Sequence, residues 1–176
     1  MKFFKAIILI LFVFLIACSS KINFLSAISG ENLEIPEFTR DENGNLLGTF
    51  KKSTLFEEFP MFKQYCDNYQ PDQVAVEELK KYERQVAILI VLGTWCSDSE
   101  RFVGEFFKIQ GVMDKGFDVL LIGIDRDKTY PEEIIKKFNI ERVPTFVVFR
   151  DGSEIGRIIE TPMMNIEQDL LSIVTK

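Results

Sequence analysis

Cys96 is the side chain whose surroundings best fit a nucleophile. It stands in Gly93-Thr94-Trp95-Cys96-Ser97-Asp98-Ser99, between a strongly apolar run and an amphipathic one. A thiol at the start of a helix faces unpaired backbone N–H groups and the positive end of the dipole, which favours thiolate. Thiolate is the attacking species in disulfide exchange. Asp98 opposes this, because a nearby carboxylate disfavours a second negative charge. Ser99 can hydrogen-bond a thiolate but cannot form a disulfide. A structural explanation competes: Ser97-x-x-Glu100 reads as a capping box, and buried cysteines often serve as small apolar residues. The other cysteines are Cys18 and Cys66, and the chain has no histidine. That excludes histidine catalysis and ordinary histidine metal sites. Three scattered cysteines, two if Cys18 is modified, cannot make a zinc or iron–sulfur centre, so no cofactor and no metal is expected. A formal charge of −6 without a basic run makes nucleic acid a poor partner.

The elements that must position Cys96 are legible on both sides of it. Val86 to Leu92, VAILIVL, is a continuous apolar run suited to a strand buried on both faces. Ser97 to about Val112 follows as a helix with Phe102, Val103, Phe106, Phe107 and Ile109 as its stripe. Phe117 to Ile124 is a second buried strand, closing a parallel βαβ unit. Tyr130 to Phe138 is a short helix with proline near its first turn. Thr145–Phe149 and Glu154–Ile159 are strands joined around Asp151-Gly152, a strong hairpin signal. Asn165 to Val174 closes the chain as a helix capped by Asn165. Upstream, Asn43-Gly44 is a second hairpin turn, with positive φ expected at both residues. Apolar residues from Ser53 to Tyr69 have helical spacing interrupted by Pro60, which implies a kink or two short helices. Pro71 to Arg84 reads as another helix. The fold class is therefore α/β, a mixed central sheet flanked by helices. Asp125-Arg126-Asp127-Lys128 reads as a solvated strand-end loop.

The start of the chain reads as a targeting segment, either that of a lipoprotein or an ordinary signal peptide or uncleaved anchor with Cys18 there by chance. Lys2 and Lys5 precede the apolar run Ala6–Ala17, which is too short for the roughly 20 residues of a membrane-spanning helix. The junction Leu15-Ile16-Ala17-Cys18 resembles the lipobox of bacterial lipoproteins. The resemblance implies cleavage after residue 17, lipid (palmitate among its acyl chains) on Cys18, and a mature protein held at a membrane of the bacterial cell envelope, facing periplasm or exterior. Residues 18–32 then form a tether.

Trp95-Cys96-Ser97-Asp98-Ser99, directly after a buried strand and opening a helix, resembles the Trp-Cys-x-x-Cys site of the thioredoxin superfamily, with Ser99 in place of the second cysteine. Val143-Pro144-Thr145-Phe-Val-Val-Phe-Arg-Asp-Gly152 is similar to that family's cis-proline, strand and hairpin. Ile35-Pro-Glu-Phe-Thr39 resembles the opening hairpin of membrane-tethered TlpA-type reductases. The resemblance implies a thioredoxin-like three-layer domain over 33–176, with 33–50 as opening hairpin, 51–84 as a helical insertion and 86–176 as core. It also implies catalytic roles for Cys96, Ser99 and a cis Pro144, and a peptide-binding rim of Thr94, Trp95, Val143 and Thr145. The family's buried acid on the preceding strand is absent, since that position is Ile90. A Cys-x-x-Ser site without that acid points to monothiol exchange with exported proteins that carry cysteines or disulfides. The competing reading is a non-catalytic binding or scaffold lipoprotein; a one-cysteine peroxidase is weaker, for want of groups to cradle peroxide. A disulfide between Cys66 and Cys96 is not expected.

Overall fold

The computed structural model describes residues 36–176. The expected signal segment (1–17), Cys18 and the expected tether (18–32) lie outside the described residues. The domain opens with β1 (Thr39–Arg40) and β2 (Leu46–Phe50), then α1 (Lys52–Glu58), α2 (Pro60–Asn68) and α3 (Gln73–Leu79). A 3-10 turn (Lys80–Tyr82) leads into β3 (Val86–Leu92), α4 (Ser97–Val112), β4 (Asp118–Gly123) and α5 (Glu132–Lys137). The hairpin β5 (Thr145–Arg150) and β6 (Ser153–Ile159) precedes the last helix, α6 (Ile166–Val174).

One six-stranded sheet runs in the order β1-β2-β4-β3-β5-β6. β3 and β4 are parallel, with Ile90 opposite Leu121, and the other pairings are antiparallel. The sheet is therefore mixed, as expected. Alternation along β3 divides the interior into two cores. Ile88, Ile90 and Leu92 join residues of α1, α2, α3, α4 and α6, including Leu55, Phe62, Cys66, Val76, Phe106 and Leu170. Leu89 and Val91 join Ile134 of α5, Phe138, Ile140 and Val143 on the other face. A run that is apolar at every position satisfies both faces at once. Among the described residues no helix is long and apolar enough to cross a membrane.

Local chemistry explains most boundaries and several departures from expectation. Pro60 splits the expected helical stretch because it occupies the first turn of α2, where its missing N–H is no loss. Asp72 caps α3 by accepting from the N–H groups of Val74 and Ala75, and Asn165 caps α6 by accepting from Gln168. Asp151 and Gly152 both take positive φ, 51° and 78°, in the expected β5–β6 turn. At Asn43-Gly44 only Gly44 does, with φ 81°. The Asp41 carboxylate is responsible: it accepts from the N–H groups of Asn43 and Asn45, which shifts the turn back to Asp41–Gly44. The helix expected from Tyr130 shortens to Glu132, because Pro131 holds an extended backbone at the cap position. The capping box at Ser97 does not form. Cys96 itself is the N-cap of α4, without a side-chain cap bond, and Ser97 is already inside the helix.

Candidate active site

The end of β3 and the start of α4 converge on Cys96. Its N–H donates to Gly93 O at 3.0 Å, and its carbonyl accepts from Glu100 N at 3.0 Å, so the thiol sits on a tight strand-to-helix turn. The side chain is half-buried against the smaller core. Its Sγ donates to the carbonyl of Val143 at 3.4 Å. The Val143-Pro144 bond is cis, and Pro144 O accepts from Glu160 N at 2.7 Å, which ties this loop to the end of β6. The structure therefore brings Cys96, Val143 and Pro144 together.

Four of the expected site residues turn out to act from beneath the surface. Thr94 was expected on the rim, yet it is 3% exposed. Its Oγ1 accepts from Leu46 N and donates to Asn45 Oδ1, each at 3.2 Å, and so locks the β1–β2 hairpin to the turn. Thr145 is likewise buried, its hydroxyl donating to Arg142 O at 2.7 Å. Val143 is buried and offers its backbone alone. Ser99 is 0% exposed, and its Oγ accepts from Gly93 N at 3.3 Å. Among the described residues no hydrogen bond joins Ser99 to Cys96, so the expected direct support of a thiolate is replaced by a brace on the turn. The physical reason is common to the hydroxyls: a buried backbone N–H or carbonyl at a chain reversal needs a partner, and each supplies one.

Trp95 remains as the half-buried rim. Its Nε1 donates to Ile124 O at 3.2 Å. A Cβ on Gly93 would lie 2.5 Å from the indole, so only glycine admits the ring there. The Arg126 guanidinium carbon lies 4.7 Å from the ring centroid on its face. Sequence reasoning assigned 125–128 to solvent and missed this contact. The loop is held by Asp125, which accepts from Thr129 N, Thr129 Oγ1 and Tyr130 N. Burial works to raise the Asp125 pKa, but these bonds outweigh it and hold the carboxyl below its usual range. Cys66 lies in the larger core, across the sheet from Cys96, and both cysteines are free thiols. Burial pushes the Cys66 thiol up. Ile90 is wholly buried and fills the same core with hydrocarbon.

The thioredoxin family model matches residues 61–174. The chain belongs to the thioredoxin family. Two thioredoxins from rice are similar to it: a thioredoxin H-type of Oryza sativa subsp. indica, 28% identical over 75 residues, and thioredoxin H2-1 of subsp. japonica, 26% identical over 97 residues. The alignments span 43% and 53% of this chain, and 57% and 67% of those thioredoxins. Among solved structures, a protein of unknown function from Pseudomonas aeruginosa superposes with a TM-score of 0.52 at 16% identity, covering 71% of this chain and 86% of that one. An HIV epitope scaffold gives the same TM-score and identity, covering 71% and 87%. These two carry the fold alone. The thioredoxin match begins at residue 61, within the stretch of helices between β2 and β3, so α2 and α3 are inside the matched region.

Proposed function

We propose that this chain is an exported, lipid-anchored thioredoxin that exchanges disulfides with exported proteins through the single thiol of Cys96. The observation that carries the reading is the Cys96 thiol itself, half-exposed at the start of α4 with its Sγ 3.4 Å from Val143 O. In the exchange, Cys96 releases its proton and the thiolate attacks one sulfur of a partner disulfide. A new S–S bond forms to Cys96, and the other sulfur leaves as thiolate and takes up a proton. An extended partner segment pairs with the backbone around Val143-Pro144, as an added strand does, while the Trp95 ring forms the rim. Ser99 offers no sulfur, so release depends on a second, external thiol.

Mild oxidation in cells should then yield reductant-sensitive adducts on a non-reducing gel, and Cys96→Ala should remove them entirely. If wild type and variant give the same bands, the chemistry is wrong. One alternative has its own support: Ile90 in place of an acid and a wholly buried Ser99 suit a binding scaffold that keeps the groove and has lost the reaction. Absence of adducts with retained partner binding would favour it.

The anchor rests on the Ala17-Cys18 junction. Several acyl chains on one cysteine hold a protein at a membrane, where one chain binds only marginally. Cys18→Ser should abolish fatty-acid labelling and signal processing. Recovery of the wild-type chain as an unlabelled soluble protein would rule out the anchor.

A further inference from the structure

We infer that Arg126 selects the partner: the site favours disulfides flanked by carboxylates, such as acidic peptides, over neutral or cationic ones. The inference rests on Cys96 being the exchanging thiol and adds the substrate class. Arg126 is exposed, and its guanidinium stacks on Trp95, the residue preceding Cys96, at 4.7 Å. Among the described residues it forms no ion pair, whereas Asp125, Arg142 and Asp98 each have a partner. Asp125 is occupied by Thr129 and Tyr130. Arg142, next to Val143, donates to Glu160 at 2.7 Å. Asp98 interacts with Arg101, which itself pairs with Glu105. The ring fixes the guanidinium in place, because an arginine laid on an aromatic face gives up rotamer freedom in exchange for cation–π attraction. Its N–H fork stays open at the edge, the geometry that receives a carboxylate in two parallel bonds. Trp95 and Cys96 are consecutive and both pack on the smaller core, so a carboxylate flanking a sulfur seated on Cys96 comes within reach of the fork.

The test measures modification of Cys96 in the detergent-solubilised full chain by three small disulfides. These are dianionic dithiobis(2-nitrobenzoate), neutral dithiodipyridine and dicationic cystamine, each rate being divided by that of a free Thr-Trp-Cys-Ser peptide. Site mapping by mass spectrometry assigns the product to Cys96. One charge at the range of a partly exposed contact is worth about a fivefold rate difference. The dianion rate should fall about fivefold in Arg126→Gln while the dication rate rises, so that their ratio collapses; the ratio should drop further in Arg126→Glu and persist in Arg126→Lys, with the neutral rate unchanged. Salt at about 1 M, where screening acts over about 3 Å, should erase the preference. An unchanged ratio in Arg126→Gln overturns the inference and leaves exchange standing. Equal loss for all three probes makes Arg126 a mere support for Trp95 and also overturns it. If the neutral disulfide fails to modify Cys96 in wild type, the exchange reading falls and takes the inference with it.

Discussion

Ser99→Cys should shorten the life of a disulfide held on Cys96 by about a hundredfold or more, the largest kinetic effect expected of any single change in this site. Position 99 lies one helical turn along α4 from Cys96, and side chains at that spacing are neighbours on a helix. A thiol placed there can attack the Cys96 sulfur, so that the bond to the partner breaks, the partner leaves as thiolate and an internal disulfide remains. The Cα separation across one turn falls inside the range a disulfide tolerates. The native side chain cannot do this, and it is also occupied: Ser99 is wholly buried and accepts from Gly93 N at 3.3 Å. Sulfur is a weaker acceptor than oxygen, so the turn at Gly93 loosens while the exit opens. Pulse oxidation followed by adduct decay on non-reducing gels measures both chains side by side. Equal lifetimes would mean that the Cys96 adduct is resolved from outside so fast that an internal thiol adds nothing.

Glu167→Ala should cost about 3 kcal/mol of stability, the largest thermodynamic loss expected away from the hydrocarbon core. The Glu167 side chain is 0% exposed. Its carboxylate accepts from the Tyr69 hydroxyl at 2.9 and 3.1 Å and from Asp72 N at 2.7 Å, so α6 is bolted to the junction of α2 and α3. Asp72 returns a contact, its Oδ2 accepting from Gln168 Nε2 at 2.8 Å. Truncation leaves a hydroxyl and a backbone N–H without partners. Glu167→Gln, which keeps one acceptor oxygen, should lose less. The denaturant midpoint measures the series, and a shift confined to a few tenths of a kcal/mol would mean that water replaces the carboxylate freely. The same cluster sets an alkaline limit. Burial first, and then the bond to Glu167, push the Tyr69 pKa up. The folded chain therefore keeps a proton that the unfolded chain loses from about pH 10 upward, and stability should decline with rising pH above that point. Tyr69→Phe should flatten the decline.

What local patterns carry is visible in β3 and in the turns. VAILIVL has one meaning, a strand with hydrocarbon on both faces, and Asp151-Gly152 has one good use between two strands. Asn165 caps α6 because the donor it needs lies within its own first turn. Thr94 and Cys96 have the opposite property: the partners that settle their surroundings are remote. Thr94 bonds Leu46, 48 positions away, and Cys96 meets Val143, 47 positions away. Nothing near Thr94 in the chain distinguishes a rim hydroxyl from a buried one. The family resemblance supplied Val143 and Pro144 where local reasoning had no purchase. It also drew attention to Ser99 as a replaced thiol and so away from its work on Gly93. Arg126 was missed because a charged tetrad after a strand looks like solvent-facing loop. The only signal for it was tertiary, the arrival of Trp95 Nε1 at Ile124 O.

The placement of the two thiols on opposite faces of the sheet gives the domain a disulfide valence of one. Cys66 is enclosed by the larger core, and among the described residues Cys96 is the one thiol that reaches the surface. A monovalent domain caps the partner it joins and ends the linkage there. Two such domains joined through their Cys96 thiols make a closed pair, and no number of them can link other chains into a network.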